Sequence, residues 1–384
     1  MNFNTIGIIC EYNPFHFGHK YHIEKSKEIT GAKNVVCVMS GSMVQRGDVA
    51  IFDKWERAKK AVYNGADLVV ELPANYVLQS AENFAFGAVS VLDSLNVVDA
   101  ISFGAETDDI HLLEKIADET LSPSDEYILK LKEKLSEGKG YPSASEYALR
   151  SIFENLPDEV FSPNNTLGIS YISALKKLDS SIKPVCIKRS NDYHSALSDD
   201  EYKSASAIRE MIMSGEDYLS FAPDYRGCNI YDIKNAESYI LGTLRTMKPE
   251  SLKDIKGYED GLSNMIITNA KNSSTLNEFF EKCISKRYTL HRIRRFCICA
   301  ILGIKDDPEI KYVRILGFNE NGASLIKKIK EKSSLIPVTK TADYNGDELF
   351  EKDILSTDFA SLCSSDVKKR ICGADFVKSP YVKK

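Results

Sequence analysis

The sequence predicts an α/β protein, with a doubly wound parallel sheet over residues 1–225 followed by a mainly helical α+β region over 226–384. Three observations predict it. Five short apolar runs, at 5–10, 34–40, 67–73, 100–106 and 184–190, alternate with segments of helical periodicity. Each run is apolar on both faces, as strands of a parallel sheet covered by helices on either side are. Beyond about residue 225 the alternation gives way to consecutive helices between 234 and 300. A compact β-α-β pattern follows at 312–341.

The elements follow in order. The first run ends at Cys10, Pro14 forbids its continuation, and Gly18 lets the chain approach a ligand closely. A helix over 18–30 then presents unpaired backbone N–H groups and a positive dipole end above the sheet, which makes an anion site. Helices are expected at 53–64, 77–93, 108–118 and 124–137 between the later strands, and ligands at the strands' carboxyl ends. The unit at 312–341 reads as strand 312–318, helix 322–332 and strand 335–341, with one more helix before a basic tail.

Composition bounds the function. The chain has 384 residues, more than one core comfortably serves. Its net charge of −5 is divided unevenly: 22 basic against 34 acidic residues up to 225, and 28 against 21 thereafter. The back half is therefore the part suited to a polyanion. The nine cysteines form no CxxC pair and several lie in apolar runs, which predicts reduced, buried thiols and a cytoplasmic protein. No secretory leader follows Met1 and no apolar stretch approaches 18 residues, so no membrane partner is expected.

The chemistry concentrates in "GIICEYNPFHFGHK", residues 7–20. His16, His19 and Lys20 add donors at the expected anion site. Such groups suit a triphosphate attacked at its α-phosphorus, where charge stabilisation and positioning do the catalysis. A zinc helix wants histidines four apart, and these are three apart, so no metal ligand is assigned. A structural role for both histidines is the plain alternative.

Here a family enters. "HFGH" after a first strand resembles the HxGH motif of the class I nucleotidyltransferase superfamily, whose members have a Rossmann-like fold. "YKSASAIRE" (202–210), with Ser204, Ser206 and Arg209, looks like the superfamily's Ser/Thr-rich element that touches the β- and γ-phosphates. "EYNPFHFGHKYH", "VMSGSMVQRGDVAIFDKWERAKKAVYNGADLVVELP", "FGAE", "PNNTLGISYISAL", "RRFCICAILGI" and "ILGFNENGASLIKKIKEKSSLIPVTK" together resemble the bacterial tRNA(Met) cytidine acetate ligases, over essentially the whole chain. The resemblance implies ATP-dependent activation of acetate to acetyl-adenylate with loss of pyrophosphate. Acetyl transfer to the wobble cytidine of elongator tRNA(Met) then yields N4-acetylcytidine. ATP is the implied nucleotide, with Mg2+ accompanying it. A small-molecule adenylyltransferase of the same fold is the alternative, although it would lack the long basic back half. An RNA-binding protein with a relic nucleotide site is a third, and would lack His16, His19 or Ser206.

The implied ATP site comprises Gly7, Ile8, Ile9, Cys10, Glu11, Tyr12, Asn13, Pro14, Phe15, His16, Phe17, Gly18, His19 and Lys20, with Gly104, Arg189, Ser206 and Arg209. One asparagine of "PNN", Asn164 or preferably Asn165, joins them. Physical sense supports each: Gly104 and Arg189 end strands at the sheet's carboxyl edge, an asparagine offers an adenine both donor and acceptor, and arginine grips phosphate bidentately. The plain alternatives are a turn glycine, a helix N-cap and a surface ion pair. Ser40, Gln45 and Arg46, in a Gly-containing loop after the second strand, are the candidates for acetate, with Met39 or Phe15 as an apolar wall. Trp55 reads as core. Lys286, Arg287, Arg292, Arg294 and Arg295, interleaved with Tyr288 and His291, are the candidates for tRNA, against the alternative of a solvated helix face.

Overall fold

The computed structural model describes residues 3–107, 109–188 and 203–384. Arg189, expected at the ATP site, lies outside the described residues. The front half runs β1 (Thr5–Cys10), α1 (Phe17–Thr30), β2 (Asn34–Ser40), a small hairpin of β3 (Met43–Val44) and β4 (Asp48–Val49), α2 (Lys54–Tyr63), β5 (Leu68–Leu72), α3 (Ala74–Val77), α4 (Ala81–Ser94) and β6 (Ala100–Ala105). Four helices follow, α5 (Ile110–Leu121), α6 (Asp125–Ser136), α7 (Tyr141–Ile152) and α8 (Pro163–Lys177), before β7 (Lys183–Lys188) and α9 (Ala205–Ser214). The back half contains α10 (Glu237–Thr246), α11 (Leu262–Lys271), α12 (Leu276–Cys283), α13 (Leu290–Leu302), β8 (Tyr312–Phe318), α14 (Glu320–Lys332), β9 (Ile336–Val338), α15 (Glu348–Leu362), α16 (Ala374–Val377) and β10 (Tyr381–Val382).

The main sheet has the order β10-β8-β5-β2-β1-β6-β7, with β9 paired to β8. The chain winds outward from β1 through β2 to β5, then crosses to the other side of β1 for β6 and β7. All of these neighbours are parallel. That reversal puts a topological switch point at the carboxyl ends of β1 and β6, where open α/β sheets bind ligands. The burial is what a two-sided sheet demands: Val35 to Met39 of β2 and Leu68 to Val70 of β5 are wholly buried.

Two expectations need correction. The β-α-β unit near 312–341 does not stand apart in a back-half domain. β8 joins the front-half sheet, antiparallel to β5, with Leu68 opposite Phe318, and the result is a mixed, mainly parallel sheet. The apolar run "YVRILGF" has no second sheet to enter, and the exposed edge of β5 accepts it. The helix expected over 77–93 begins later, as α4 at Ala81, after the separate single turn of α3 and a break at 78–80. Ser80 caps α4 by accepting a hydrogen bond from Asn83 N.

Candidate active site

The turn after β1 carries the site. His16 is the N-cap of α1, and its Nδ1 accepts from Gly18 N at 3.1 Å. His19 closes the reciprocal half, its Nδ1 accepting from His16 N at 3.2 Å. This is a capping box built from two histidines. Their rings stack at 3.7 Å between centroids, with Tyr12 and Phe15 packed against His19. The plain alternative was half right: both histidines are structural caps. Because each Nδ1 accepts, the hydrogen of each neutral imidazole is on Nε2. The caps thereby fix two ring donors at a helix N-terminus.

The remaining residues of the run divide by burial. Gly7 and Ile8 lie inside the sheet, and a Cβ on Gly7 would come within 2.7 Å of Leu92 of α4. Theirs is a packing role. Ile9 and Cys10 reach the half-buried carboxyl edge, and burial raises the Cys10 thiol well above its ordinary pKa, with Cys37 adding to the rise. Asn13 Oδ1 accepts from Ile51 N at 2.8 Å, and Phe15 N donates to the Tyr225 hydroxyl at 3.1 Å. Phe17 N donates to Phe221 O at 2.9 Å. Lys20, farther along α1, is half exposed and 3.8 Å from Glu24.

The Ser206–Arg209 element meets this turn. Ser204 caps α9 by accepting from Ala207 N, while Arg209 Nη1 donates to Asn13 O at 2.6 Å and its Nη2 to Ser206 Oγ at 2.9 Å. A cationic fork thus lies against the turn that carries the two histidines. Burial lowers the Arg209 pKa, and Arg46 nearby lowers it further.

Both asparagines of the α8 start bond to Glu106, after β6. Asn165 is fully buried, its Oδ1 accepting from Glu106 N at 2.9 Å and its Nδ2 donating to Glu159 O. Its amide thereby holds the loop after β6 at the carboxyl edge of the sheet. Asn164 Nδ2 donates to Glu106 Oε1 at 2.6 Å. Gly104 is half-buried near the end of β6, at the switch point.

The candidate acetate residues diverge. Ser40 is fully buried beside Leu72 of β5, and its Oγ has no hydrogen-bond partner among the described residues. Gln45 Nε2 donates to Gln79 O at 2.8 Å, and Arg46 is exposed. The residue that sequence reasoning missed here is Arg57. Fully buried on α2, it donates to the carbonyls of Phe52 at 3.0 Å, Glu11 at 2.5 Å and Gly41. One guanidinium therefore ties together the loops after β1 and β2. Its only sequence signal was a charged residue on the apolar face of a helical pattern. Trp55 is core, as expected, at 7% exposure.

The basic helix start splits into two groups. Lys286 and Arg287 are exposed, and Arg287 and Arg292 pair with Glu259 while lying over the Tyr288 ring. Arg294 pairs with Asp48 at 3.0 Å, and Arg295 Nη1 donates to Gln45 O at 3.3 Å. Arg294 and Arg295 therefore clamp the β3–β4 hairpin onto α13, directly beside the site. Burial and the nearby Arg46, Arg294 and Arg295 lower the His291 pKa. Among the described residues no group of three or more His, Cys, Asp or Glu is placed to hold a metal ion, and no helix is long and apolar enough to cross a membrane.

The HIGH Nucleotidyl Transferase family model matches residues 3–375. The tRNA(Met) cytidine acetate ligase of Clostridium perfringens (strain ATCC 13124) is 40% identical, with 99% of each chain covered. The chain belongs to the tRNA(Met) cytidine acetate ligase family, within the HIGH nucleotidyl transferases. Its relative from Acetivibrio thermocellus is 37% identical over 98% of this chain and 99% of that one. Among solved structures, Thermotoga maritima TmcAL bound with alpha-thio ATP superposes with a TM-score of 0.88 at 30% identity, covering 99% of both chains. Its apo form gives 0.90.

Proposed function

We propose that this protein forms acetyl-adenylate from acetate and ATP at the β1–α1 turn, then transfers the acetyl group to the wobble cytidine of elongator tRNA(Met). The observation that carries it is the meeting of three features: the histidine-capped N-terminus of α1, the Arg209–Ser206 fork, and the basic start of α13. An acetate oxygen attacks the α-phosphorus, the bond to the β-phosphate oxygen breaks, and pyrophosphate leaves. The Nε2–H groups of His16 and His19 and the helix N-terminus face the charge that develops on the α-phosphate. Arg209, with Ser206, holds the departing phosphates. Mg2+ would accompany the triphosphate and offset its charge, and no protein ligand is assigned to it.

Free acetate is a poor acyl donor, so the mixed anhydride must form and be kept from water until RNA arrives. Acetate is seated by the loop after β2, where Arg46 is an exposed cation. The tRNA lies across α13, with Lys286 and Arg287 meeting phosphates and Tyr288 beneath them. The test is incubation with ATP, labelled acetate and bulk tRNA, followed by mass spectrometry of the nucleosides. N4-acetylcytidine is expected together with AMP and pyrophosphate. The same product from acetyl-CoA with ATP and acetate withheld would overturn the mechanism.

A further inference from the structure

We propose that the Glu11 carboxylate is the general base that takes the proton from the cytidine N4 amine in the transfer step; this rests on the acetate-ligase reading above. Glu11 is the first residue past β1, and its position is fixed from three sides. Its Oε1 accepts from Gln45 N at 2.6 Å, its own carbonyl accepts from Arg57, and Arg209 grips Asn13 two residues on. Gln45 in turn accepts from Arg295 of α13. A single residue therefore separates the carboxylate from the basic helix, and the turn that Glu11 opens runs on to the histidine-capped start of α1. An acyl group activated over the α1 N-terminus and an RNA base arriving from α13 meet at Glu11.

The other candidate bases are committed or buried out of reach. His16 and His19 accept backbone hydrogens at Nδ1 and carry their own on Nε2. The Nδ1 of His291 has no hydrogen-bond partner among the described residues, but it is buried, so an incoming amine does not reach it. Asp48 is held by Arg294 and accepts from Val49 N at 2.8 Å. In the step itself, the N4 lone pair attacks the acetyl carbonyl carbon and the carbon–oxygen bond to the phosphate breaks. AMP leaves with that electron pair, and the N4 proton passes to Glu11, which later releases it to solvent.

Groups facing Glu11 are Arg57 of α2, Arg46 of the hairpin loop, Arg209 of α9 and Tyr171 of α8. Burial pushes its pKa up more than the Gln45 hydrogen bond and the three arginines pull it down, which favours proton uptake. Glu11→Gln tests the assignment, because the amide keeps an oxygen to accept from Gln45 N. Acetyl transfer to tRNA from preformed acetyl-adenylate is followed in a single turnover, alongside acetate-dependent ATP–pyrophosphate exchange. Transfer should fall about 10²–10⁴-fold, and at least about tenfold more than exchange. The wild-type transfer rate should decline as pH falls through the raised Glu11 pKa, and that acid limb should vanish in the variant. Equal loss of both steps, unaltered transfer, or an acid limb that survives in E11Q would overturn the assignment. A wild-type protein that transfers nothing would overturn the acetate-ligase reading itself, and this inference with it.

Discussion

The two histidines of the opening motif show how a residue serves structure and chemistry with different atoms of one ring. Nδ1 of each caps α1, and Nε2 is thereby obliged to be a donor. Truncation to alanine mixes the two roles, since loss of an N-cap costs about 0.5–2 kcal/mol. His16→Asn separates them. Asparagine is a strong N-cap, so the thermal midpoint should stay near the wild-type value. Acetate-dependent pyrophosphate exchange should fall by roughly 10²-fold with the lost donor. A variant that melts normally and exchanges normally would leave His16 as a cap and nothing more.

At the scale of elements, the β3–β4 hairpin links the β1–α1 turn to the basic start of α13. Gly47 makes the close approach: its φ is +73°, and a Cβ there would come within 2.5 Å of Arg295 N. Gly47→Ala should cost about 1–3 kcal/mol of stability and push the hairpin from α13, raising the acetate KM as Gln45 and Arg46 move. A variant with unchanged melting and KM would show that the hairpin yields freely. The outer half of the same helix start behaves differently. Lys286→Gln with Arg287→Gln leaves the Arg294 and Arg295 clamp intact. It should weaken tRNA binding and lessen its salt dependence by about one unit of slope for each phosphate no longer neutralised, with exchange preserved. Unaltered affinity and slope would mark that end as a solvated face.

At the scale of the whole molecule, the two halves are locked by buried charge. Lys54 lies 2.8 Å from Glu71 and 2.9 Å from Asp375, and Arg314 lies 2.9 Å from Asp375, all four side chains being essentially inaccessible. Lys54→Met strands two carboxylates beside one remaining arginine and should cost about 3–5 kcal/mol, read from denaturant unfolding. Asp353, fully buried on α15, accepts from Ala74 N at 2.7 Å and from the Tyr312 hydroxyl. Burial first, and the Glu71 charge second, push it up to about 8 from the ordinary 3.8. The folded state thus binds the proton more tightly than the unfolded one, so this group lowers stability as pH rises between those two values. Asp353→Asn removes the titration, and the midpoint difference, variant minus wild type, should grow as pH rises through that window. A difference that stays flat would place the Asp353 pKa near its unfolded value.

The sequence by itself determined the five parallel strands, the β1–α1 turn and the serine-capped start of α9. Each is set locally, by apolar runs, by Pro14 and Gly18, and by serines suited to helix starts. Only the tertiary structure decided which partner each polar group found. Asn165, expected at an adenine, is also tied to the loop after β6, its Oδ1 accepting from Glu106 N and its Nδ2 donating to Glu159 O. Arg57 looked like one charge among many until the ends of β1 and β2 converged on it. The strand at 312–318 read as part of a separate unit, yet the open edge of β5, more than two hundred residues earlier, was where its backbone hydrogen bonds could be satisfied. Local propensity sees neighbours in the chain; an unpaired edge or an unmet carbonyl is met only once the chain has folded back on itself.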